Sequence, residues 1–523
     1  MQVKIFKSIV LGGAVVLSTQ VFAEALYADE DTSAEIRALQ ARLKQLEQRI
    51  ESREHKQPLQ ANAAIKAPPP SAFDPCAAGK VCAGGVSFTF GGWIDLAGIY
   101  RSRNLASDTG SVYSFIPFAQ SRNFNTPEAR FSARQSRFSV LAEADAGTDI
   151  HLAGYGEIDF EGAAQTATSN ATNSFNPRMR QASFEIDRTD LGLHFLAGQS
   201  WSLNTPSRAG IDPRVADAPG VIDFESVPGF IAARQPGIRV WQDFGPDFKL
   251  ALSAENAATT FVGGNVPLVG TPAVGPQGVL NPNLLVNLTG PGSSFFNSAN
   301  NLSLNQVPDV TVKAAWDPRI GPDKFHVEAW ALYRDFTDRF NFENHDVGNV
   351  SFGGHIVLEA IPKTLDLTLS ASHGALGRYT ATPFQDVTLR QDGSMQLLPI
   401  SALLAGAVWH STPALDLYAY AGLEKTHATF SNVGTVPFGY GNPLYNNAGC
   451  NIENSPAATC NGNTSEVRQY TAGFYDTVLQ GSYGAVKVGV QYSYNQRFAF
   501  SGVGGAPKTD DHIVMTQVRY YPF

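Results

Sequence analysis

From residue 88 to the C terminus, apolar and polar residues alternate with a period of two, and the apolar rows carry almost no charge. In the first of these segments Ile94, Leu96 and Tyr100 share one row, while Asp95 and Arg101 lie in the other. Because successive side chains of a strand point to opposite faces, this pattern predicts strands with one apolar face. Rows that stay free of charge are typical of strands that contact lipid.

The alternation defines sixteen candidate strands, and the lengths of their connections predict the topology. Short turns such as 146–149 and 245–246 alternate along the chain with long connections such as 201–233 and 337–347. This alternation is the signature of an up-and-down membrane barrel with short turns at one end and long loops at the other. We therefore predict an all-β fold, a 16-stranded antiparallel transmembrane β-barrel over 88–523. The predicted strands are 88–102, 129–146, 149–161, 178–188, 190–200, 234–244, 247–255, 309–318, 323–336, 348–360, 364–376, 396–411, 413–430, 465–480, 483–499 and 510–523.

Composition agrees with a membrane barrel and excludes other classes. Only 16% of the 523 residues are charged, against about 25% in an average soluble protein. The formal net charge of −9 argues against nucleic acid as a partner, because phosphates require a concentrated basic face. A hydrophobic fraction of 43% excludes general disorder.

The stretch 393–415 contains no Asp, Glu, Lys or Arg, so a transmembrane helix is an alternative there. Pro399, His410 and Pro413 interrupt it, and the apolar run between them is shorter than the roughly 20 residues that a helical span needs. As a strand, 396–411 is apolar in both rows. Such a strand could lie at a subunit interface, or its predicted boundaries could be wrong.

The N terminus has the features of a secretory signal peptide. Lys4 and Lys7 precede an apolar core at 9–17, and the small residue Ala23 marks a cleavage site. The alternative, an anchor helix, would need about 20 apolar residues. We predict that residues 1–23 are a signal peptide and that the mature protein is exported.

An amphipathic helix is predicted within 24–57, followed by a proline-rich linker over 58–87. The helix has apolar residues at the a and d positions of a short heptad pattern, with charged residues beside them. This seam and its flanks comprise Ile36, Leu39, Arg42, Leu43, Leu46, Glu47 and Ile50. Ile at a with Leu at d favours dimers, whereas the Arg-h-x-x-h-Glu spacing of 42–47 resembles short trimeric coiled coils. A single helix docked on another surface is the simpler alternative, since so short a coil is marginal by itself.

Export also makes the four cysteines informative. Cys76 and Cys82 enclose one short loop, and Cys450 and Cys460 enclose another. An even number of cysteines in an exported protein predicts two local disulfides. A metal site is the weaker interpretation, since neither pair has C-x2-C spacing and no histidine is near.

Five sequence blocks in roughly the first third of the predicted barrel resemble a known family. They are Gly-Gly-Trp-Ile-Asp at 91–95, Arg-Phe-Ser-Ala-Arg-Gln-Ser-Arg-Phe at 130–138, Arg-Met-Arg-Gln-Ala at 178–182, Leu-Ala-Gly-Gln-Ser-Trp at 196–201 and Ala-Arg-Gln-Pro-Gly-Ile-Arg at 233–239. Together with the coil, they are similar to the DcaP-like family of trimeric outer-membrane porins. The resemblance implies a homotrimer in contact with outer-membrane lipid and lipopolysaccharide, a periplasmic coil, and uptake of small anions including dicarboxylates.

Arginines of the predicted strands, several of them near strand ends, are candidates for a charged pore wall. A ring of fixed charge selects ions by sign, and guanidinium groups stay charged and bind carboxylates in a bidentate manner. Some candidates lie in polar rows; others face the lumen only if the strand register shifts. Pairing with Glu157, Asp159, Glu185 or Asp187 is the structural alternative. The candidate pore-lining residues are Arg101, Arg130, Arg134, Arg137, Arg178, Arg180, Arg234 and Arg239.

The connection 201–233 is the predicted constriction, because the corresponding loop of trimeric porins folds into the pore. Arg208, Asp212, Arg214 and Asp217 are its candidate charged residues. An ordinary outer loop is the alternative.

The sequence as a whole predicts a channel and not an enzyme. There is no G-x-S-x-G motif, the histidines are scattered singly, and we predict neither a cofactor nor a metal. We expect passive, anion-preferring uptake of small carboxylates in the outer membrane. A non-selective diffusion porin and a structural envelope tether are the alternatives.

Overall fold

The computed structural model divides the chain into two units, Met1–Ala72 and Phe73–Phe523. The predicted signal peptide, coiled coil and most of the linker lie outside the described residues, apart from Lys44, which is helical. The described parts of the chain are Lys44, 80–162, 176–260, 305–318, 324–340, 343–382, 384–390, 395–433, 436–523 and three two-residue strands, Ala273–Val274, Leu280–Asn281 and Leu284–Leu285.

The second unit is a closed antiparallel barrel of sixteen strands. Each strand pairs with its neighbours in sequence, and the last strand pairs with the first, with Ile94 opposite Tyr520. The predicted 16-stranded antiparallel barrel is confirmed, and each predicted strand has a counterpart, whereas the N-terminal coiled coil of the predicted fold stays a prediction. The barrel strands are β1 (Val86–Arg101), β2 (Glu128–Ser132 and Arg137–Asp145), β3 (Ile150–Asp159), β4 (Arg178–Arg188), β5 (Leu193–Trp201), β6 (Arg234–Phe244), β7 (Phe248–Glu255), β8 (Asp309–Trp316), β9 (Phe325–Phe340), β10 (Glu343–Ile361), β11 (Leu365–Gly374), β12 (Ile400–His410), β13 (Leu415–Thr426), β14 (Thr464–Gly481), β15 (Gly484–Ala499) and β16 (Lys508–Tyr521).

Short strands and 3-10 helices lie in the connections between the barrel strands. A short strand, Val81–Ala83, pairs with the start of β1, so the end of the predicted linker belongs to the barrel sheet. Two hairpins lie in long loops, Val387–Leu389 with Met395–Leu397 and Thr429–Val433 with Val436–Tyr440. Single-turn 3-10 helices occur at Tyr113–Phe115, Arg122–Asn125, Pro213–Val215, Phe224–Ser226, Gly377–Tyr379 and Ala457–Thr459.

The two faces of the strands follow the predicted rows. In β1 the side chains of Ile94, Leu96 and Tyr100 are exposed on the outside, whereas Asp95 and Arg101 are buried inside. An outer surface of exposed apolar side chains around a polar interior is the arrangement of a transmembrane barrel.

One predicted loop is wrong. The connection 337–347 is mostly strand, because β9 extends to Phe340 and β10 begins at Glu343, and these two residues pair. Most of the residues concerned are polar, which resembles a loop in sequence. They continue the backbone ladder beyond the apolar part of the barrel wall, where a strand needs no apolar row.

The connection 201–233 lies inside the barrel. Its backbone amide groups donate hydrogen bonds to inward-facing side chains on strands around the whole circumference. The Leu203 amide donates to Glu255 on β7, the Gly229 amide to Glu424 on β13, and the Ile222 amide to Gln491 on β15. The loop therefore crosses the lumen from β5 to the opposite wall.

This inward loop explains why β12 is apolar on both faces. Leu404 faces inward and packs with Val227 and Phe230 of the loop, while Leu403 and Trp409 are exposed on the outside. The inner apolar row of β12 thus contacts the loop and not a neighbouring subunit. Among the described residues, no helix is long and apolar enough to cross a membrane.

Cys450 and Cys460 form a disulfide with a Cα–Cα distance of 4.7 Å, which confirms one predicted pair. The buried Cys450 packs with Phe118 and Ala499, so the disulfide holds a long loop against the barrel rim. Cys76 lies outside the described residues, and its pairing with Cys82 stays a prediction.

Candidate functional site

The lumen wall beside the inward loop carries the arginines that the sequence singled out. In β2 the strand breaks at 133–136, and the facing changes across the break. Phe131 is 79% exposed on the outside before the break, and Phe138 is 41% exposed after it. The outer face therefore carries an odd-numbered residue before the break and an even-numbered residue after it. As a result, Arg130 before the break and Arg137 after it both point inward.

A second register shift acts in β4. The pairing with β3 slips between Glu157, which is opposite Gln181, and Ile158, which is opposite Met179. Arg180 lies in this bulge and is fully buried on the inner side. The sequence pattern allowed Arg130 and Arg180 to face the lumen only if the strand register shifted nearby. Both strands contain such a shift.

The arginines converge on one carboxylate of the inward loop. Glu225 accepts hydrogen bonds from Arg180 and Arg234, each at 2.7 Å, and from Arg178 at 3.2 Å. These guanidinium groups hold the pKa of Glu225 well below its usual range, against the opposing effect of burial. Glu225 is therefore ionised at neutral pH and ties the loop to β4 and β6.

Further carboxylates complete what we call the Glu225 cluster. Asp159 accepts from Arg178 at 2.7 Å and from Arg180 at 2.8 Å, and Glu161 accepts from Arg178 at 2.5 Å. Burial, followed by the charge of Glu225, raises the pKa of Glu161 to about 7. The cluster consists of four arginines and four carboxylates, Arg137, Arg178, Arg180, Arg234, Glu157, Asp159, Glu161 and Glu225.

Aromatic rings fix the orientation of two of these guanidinium groups. Arg137 lies over Trp93 at 4.4 Å from the ring centroid, and Arg234 lies over Trp201 at 4.4 Å. Such contacts contribute about 0.5–1 kcal/mol at exposed sites and more when desolvated. Together with the ion pairs, they leave the arginines little freedom to reorient.

Three of the predicted pore-lining arginines hold loops in place. Arg101 is fully buried and binds Glu128, Ser111 and two backbone carbonyls of the first long loop. Arg239 donates to the carbonyls of Ile211 and Trp201. Arg134 donates to the carbonyls of Phe160 and Gly162. Because their donors point at backbone oxygens, these groups have fewer donors left for a solute.

Two other arginines reach water more than their carboxylate partners do. Arg208 of the inward loop pairs with Asp217 and Asp366, and its side chain is 54% exposed against 8% and 12% for the two acids. Arg130 pairs with Glu128 at 2.7 Å and is likewise the more exposed partner. In both pairs the guanidinium faces the lumen and the carboxylates lie behind it.

The remaining predicted loop residues also form ion pairs. Arg214 binds Asp212 through two nitrogens, at 3.0 and 2.7 Å, and approaches Glu185 at 3.5 Å. Asp217 also lies 3.0 Å from His355 of β10. All four predicted charged residues of 201–233 thus contact one another or the strand wall.

A cavity of about 240 Å³ opens between the loop and the short-turn end of the lumen. Three cations and one acid line it together with tyrosines from β13, β14 and β16. Lys487 has no carboxylate within ion-pair distance among the described residues, and it lies opposite Arg519 across the β15–β16 ladder. The charged and aromatic lining residues are Arg208, Lys487, Arg519, Asp416, Tyr418, Tyr420, Tyr475 and Tyr521.

The sequence analysis missed Lys487, Arg519 and Glu225 as site residues. Lys487 alternates with Val486 and Val488, so the facing rule that identified Arg137 also applies to it. Glu225 has no comparable signal, because its role depends on how the loop folds back into the lumen.

Solved structures with the same barrel fold exist. The crystal structure of the outer-membrane channel DcaP of Acinetobacter baumannii aligns with a TM-score of 0.56 and 17% sequence identity, over 84% of this chain and 98% of that chain. The chain has the fold of the DcaP channel. The anion-selective porin from Comamonas acidovorans aligns with a TM-score of 0.44 and 10% identity, over 83% of this chain and 99% of that chain. No protein-family model and no curated protein matches the chain.

Proposed function

We propose that the protein is a DcaP-like porin of the outer membrane, which admits small hydrophilic anions, including carboxylates, by passive diffusion through each barrel. The fold of the DcaP channel, the apolar outer surface and the polar lumen support a channel. Short turns and long loops alternate along the chain. The end with the short turns would therefore face the periplasm, and the long loops would face the outside.

The observation that carries the anion preference is the unequal exposure of charge along the lumen. The wall holds many ion pairs, which offset part of its charge. At Arg208 and Arg130, however, the cation faces water and the acid lies behind it. Lys487 adds a cation without a carboxylate partner among the described residues. A passing ion interacts most strongly with the nearest charge, because Coulomb energy falls with distance and with screening.

The loop 201–233 would form the constriction. It divides the lumen into an outer part, lined by the Glu225 cluster, and an inner cavity lined by Arg208, Lys487 and Arg519. A carboxylate leaving the outer part would meet two guanidinium groups and an ammonium group in succession. Bidentate binding by guanidinium groups favours carboxylates over spherical anions.

A homotrimer held by the coil at 24–57 is also a proposal, supported by the family resemblance of the sequence. Deleting residues 24–60 is expected to lower the temperature at which the trimer dissociates on semi-native gels. An unchanged dissociation temperature would remove the coil from this role.

The test of the anion preference is the reversal potential of the purified protein in a planar bilayer under a KCl gradient. We expect a potential of the sign given by chloride permeation, and we expect Arg208→Gln and Lys487→Gln each to move it toward the cation side. Arg122→Gln removes a charge from an exposed outer loop and serves as the matched control.

A cation-preferring wild type would refute the proposal. If the wild type and all three variants gave a potential near zero, the balanced Glu225 cluster would dominate. The protein would then be a general diffusion porin, which is the second candidate function that this charge balance favours.

A further inference from the structure

The short-turn end of the lumen carries a separate group of histidines and carboxylates. Across β2, β3, β4 and β5, one rung of the barrel reads Asp145, His151, Asp187 and His194, each opposite the next. Paired residues of an antiparallel ladder share a face, so these four side chains line the lumen together. The next rung of β4 adds Glu185.

The geometry is tightest around His194. Its Nδ1 lies 2.5 Å from Asp187 Oδ1, and its Nε2 lies 3.4 Å from Asp243 Oδ2. The imidazole stacks on Trp241 with a centroid distance of 4.8 Å and an interplanar angle of 4°, which fixes the ring. One ligand atom each from Glu185, Asp187 and His194 lie within 4.8 Å of one another.

Two carboxylates of this group lie close together in a buried place. Glu185 and Asp187 are 7% and 8% exposed and lie on the same face of β4, so their carboxylates repel each other in a poorly solvated place. Asp212 and Asp243 add two more negative charges. Arg214 pairs with Asp212 and Lys249 with Asp243, whereas the shortest ion pair of Glu185 is a 3.5 Å contact with Arg214. Moreover, the buried Nε2 of His194 has no partner within hydrogen-bond geometry.

Three other histidines at the same end have comparable contacts, and the second carboxylate of His194, Asp243, is likewise paired with a lysine, Lys249. In each, the imidazole lies 2.7–2.8 Å from an aspartate, and a lysine or arginine pairs with the second carboxylate. These cations are Lys80 on Glu143, Lys313 on Glu328 and Arg208 on Asp366, beside His151, His326 and His410 respectively. Within the described residues, only the His194 group brings three such ligands together.

We propose that Glu185, Asp187 and His194 form a binding site for a divalent transition-metal ion such as Zn²⁺. An imidazole with two carboxylates is a ligand set that zinc accepts, at about 2.0–2.2 Å per bond. Two such bonds span at most about 4.4 Å, so side chains whose ligand atoms lie within 4.8 Å need a closing movement to bind one ion. Asp243 would accept a hydrogen bond from the other ring nitrogen, the usual partner of a metal-bound histidine.

The sequence predicts no metal site because the ligands come from different strands. Glu185 and Asp187 belong to β4 and His194 to β5, and no spacing rule connects them. Mg²⁺ and Ca²⁺ are weaker candidates, because they prefer oxygen ligands throughout and the imidazole lies at the centre of the group.

The test is isothermal titration calorimetry of the purified full-length protein with Zn²⁺ after treatment with EDTA, combined with the visible absorption of bound Co²⁺. We expect one ion per chain, and we expect Glu185→Gln and His194→Gln each to weaken binding by about 10- to 100-fold. His410→Gln is the matched control, because its imidazole has the same aspartate contact but does not belong to a group of three ligand atoms among the described residues. We expect it to bind like the wild type.

Several outcomes would overturn the proposal. Absence of saturable binding at one ion per chain would do so, as would equal losses in His194→Gln and His410→Gln. Displacement of Zn²⁺ by an equal concentration of Mg²⁺ would show a non-selective acidic surface instead. Heat-modifiable migration on gels verifies that each variant barrel is folded, and none of these measurements depends on the proposed transport activity.

Discussion

Replacing Glu225 by Gln isolates the electrostatic role of the inward loop. The substitution keeps the size of the side chain and one acceptor oxygen but removes the charge that Arg178, Arg180 and Arg234 share. Because these guanidinium groups keep the pKa of Glu225 well below its usual range, the wild-type residue is ionised at pH 7 and the variant loses a full charge. Above pH 7, where Glu161 is ionised as well, the Glu225 cluster then changes from four cations and four anions to a surplus of one cation.

The size of the effect follows from Coulomb's law. A unit charge changes the energy of a monovalent ion by about 1 kcal/mol at 4 Å in water and by about 0.4 kcal/mol at 10 Å. The sign is opposite for anions and cations, and 0.1 M salt screens the interaction over about 10 Å. We therefore expect the anion-to-cation permeability ratio to rise by roughly two- to tenfold in 0.1 M KCl, and by less at 1 M.

Planar-bilayer reversal potentials at the two salt concentrations measure this ratio. Glu453→Gln is the control, since it removes the same charge from an exposed position in the outer loop. The loop should stay in the lumen, because Glu255, Glu424 and Gln491 still bind its backbone. An unchanged ratio in Glu225→Gln, or an equal change in Glu453→Gln, would refute the reasoning.

Three further predictions concern the same loop and its surroundings. The anion preference should rise as the pH falls through about 7, because protonation of Glu161 removes a negative charge from the cluster, and Glu161→Gln should weaken this dependence of the reversal potential. Gly422→Ala should raise single-channel conductance, since an added Cβ would lie 2.0 Å from the Pro228 carbonyl oxygen and push the loop out of place, whereas Gly154→Ala, with nothing within 4 Å, should not. Cys450→Ser should expose the loop around 431–463 to limited proteolysis without unfolding the barrel, because a disulfide that closes so short a loop contributes about 3 kcal/mol.

The pH prediction also has a consequence for stability. A carboxyl group whose pKa is higher in the folded than in the unfolded protein destabilises the fold as the pH rises. For Glu161 the window runs from its ordinary value of 4.5 to about 7. Across that window the contribution of Glu161 opposes folding increasingly, and above it the penalty is constant. The sign is opposite for Glu225, whose lowered pKa makes its contribution fall only as the pH drops below the ordinary carboxyl range.

The barrel was predictable because its constraint is local in sequence. A strand that contacts lipid must keep one row free of charge, and this requirement repeats in every strand. The prediction failed at 337–347 because the ladder there extends beyond the apolar band, where no row needs to be apolar. It was ambiguous at β12 because the inner row of that strand packs against Val227 and Phe230, which are distant in sequence.

The candidate site was predictable only in part, for a related reason. Facing rules place Arg137 and Lys487 inside the lumen, but a break in β2 and a bulge in β4 decide the facing of Arg130 and Arg180. Which arginines remain accessible to a solute depends on the fold of the loop. Arg239 and Arg101 are buried by loop carbonyls, whereas Arg208 is held outward by two acids behind it.

Buried ion pairs in the lumen therefore have a structural purpose that differs from charge selection. Each arginine of the Glu225 cluster is neutralised, so the cluster as a whole adds little field. Replacing such a network by apolar residues is often neutral for stability, so stability alone does not account for it. Its geometry instead fixes one position of the loop, because three guanidinium groups on two strands meet a single carboxylate. Ion selection then depends on the cations that stay exposed when the loop is held in this position, such as Arg208. Comparing Glu225→Gln with Arg208→Gln separates loop positioning from ion selection.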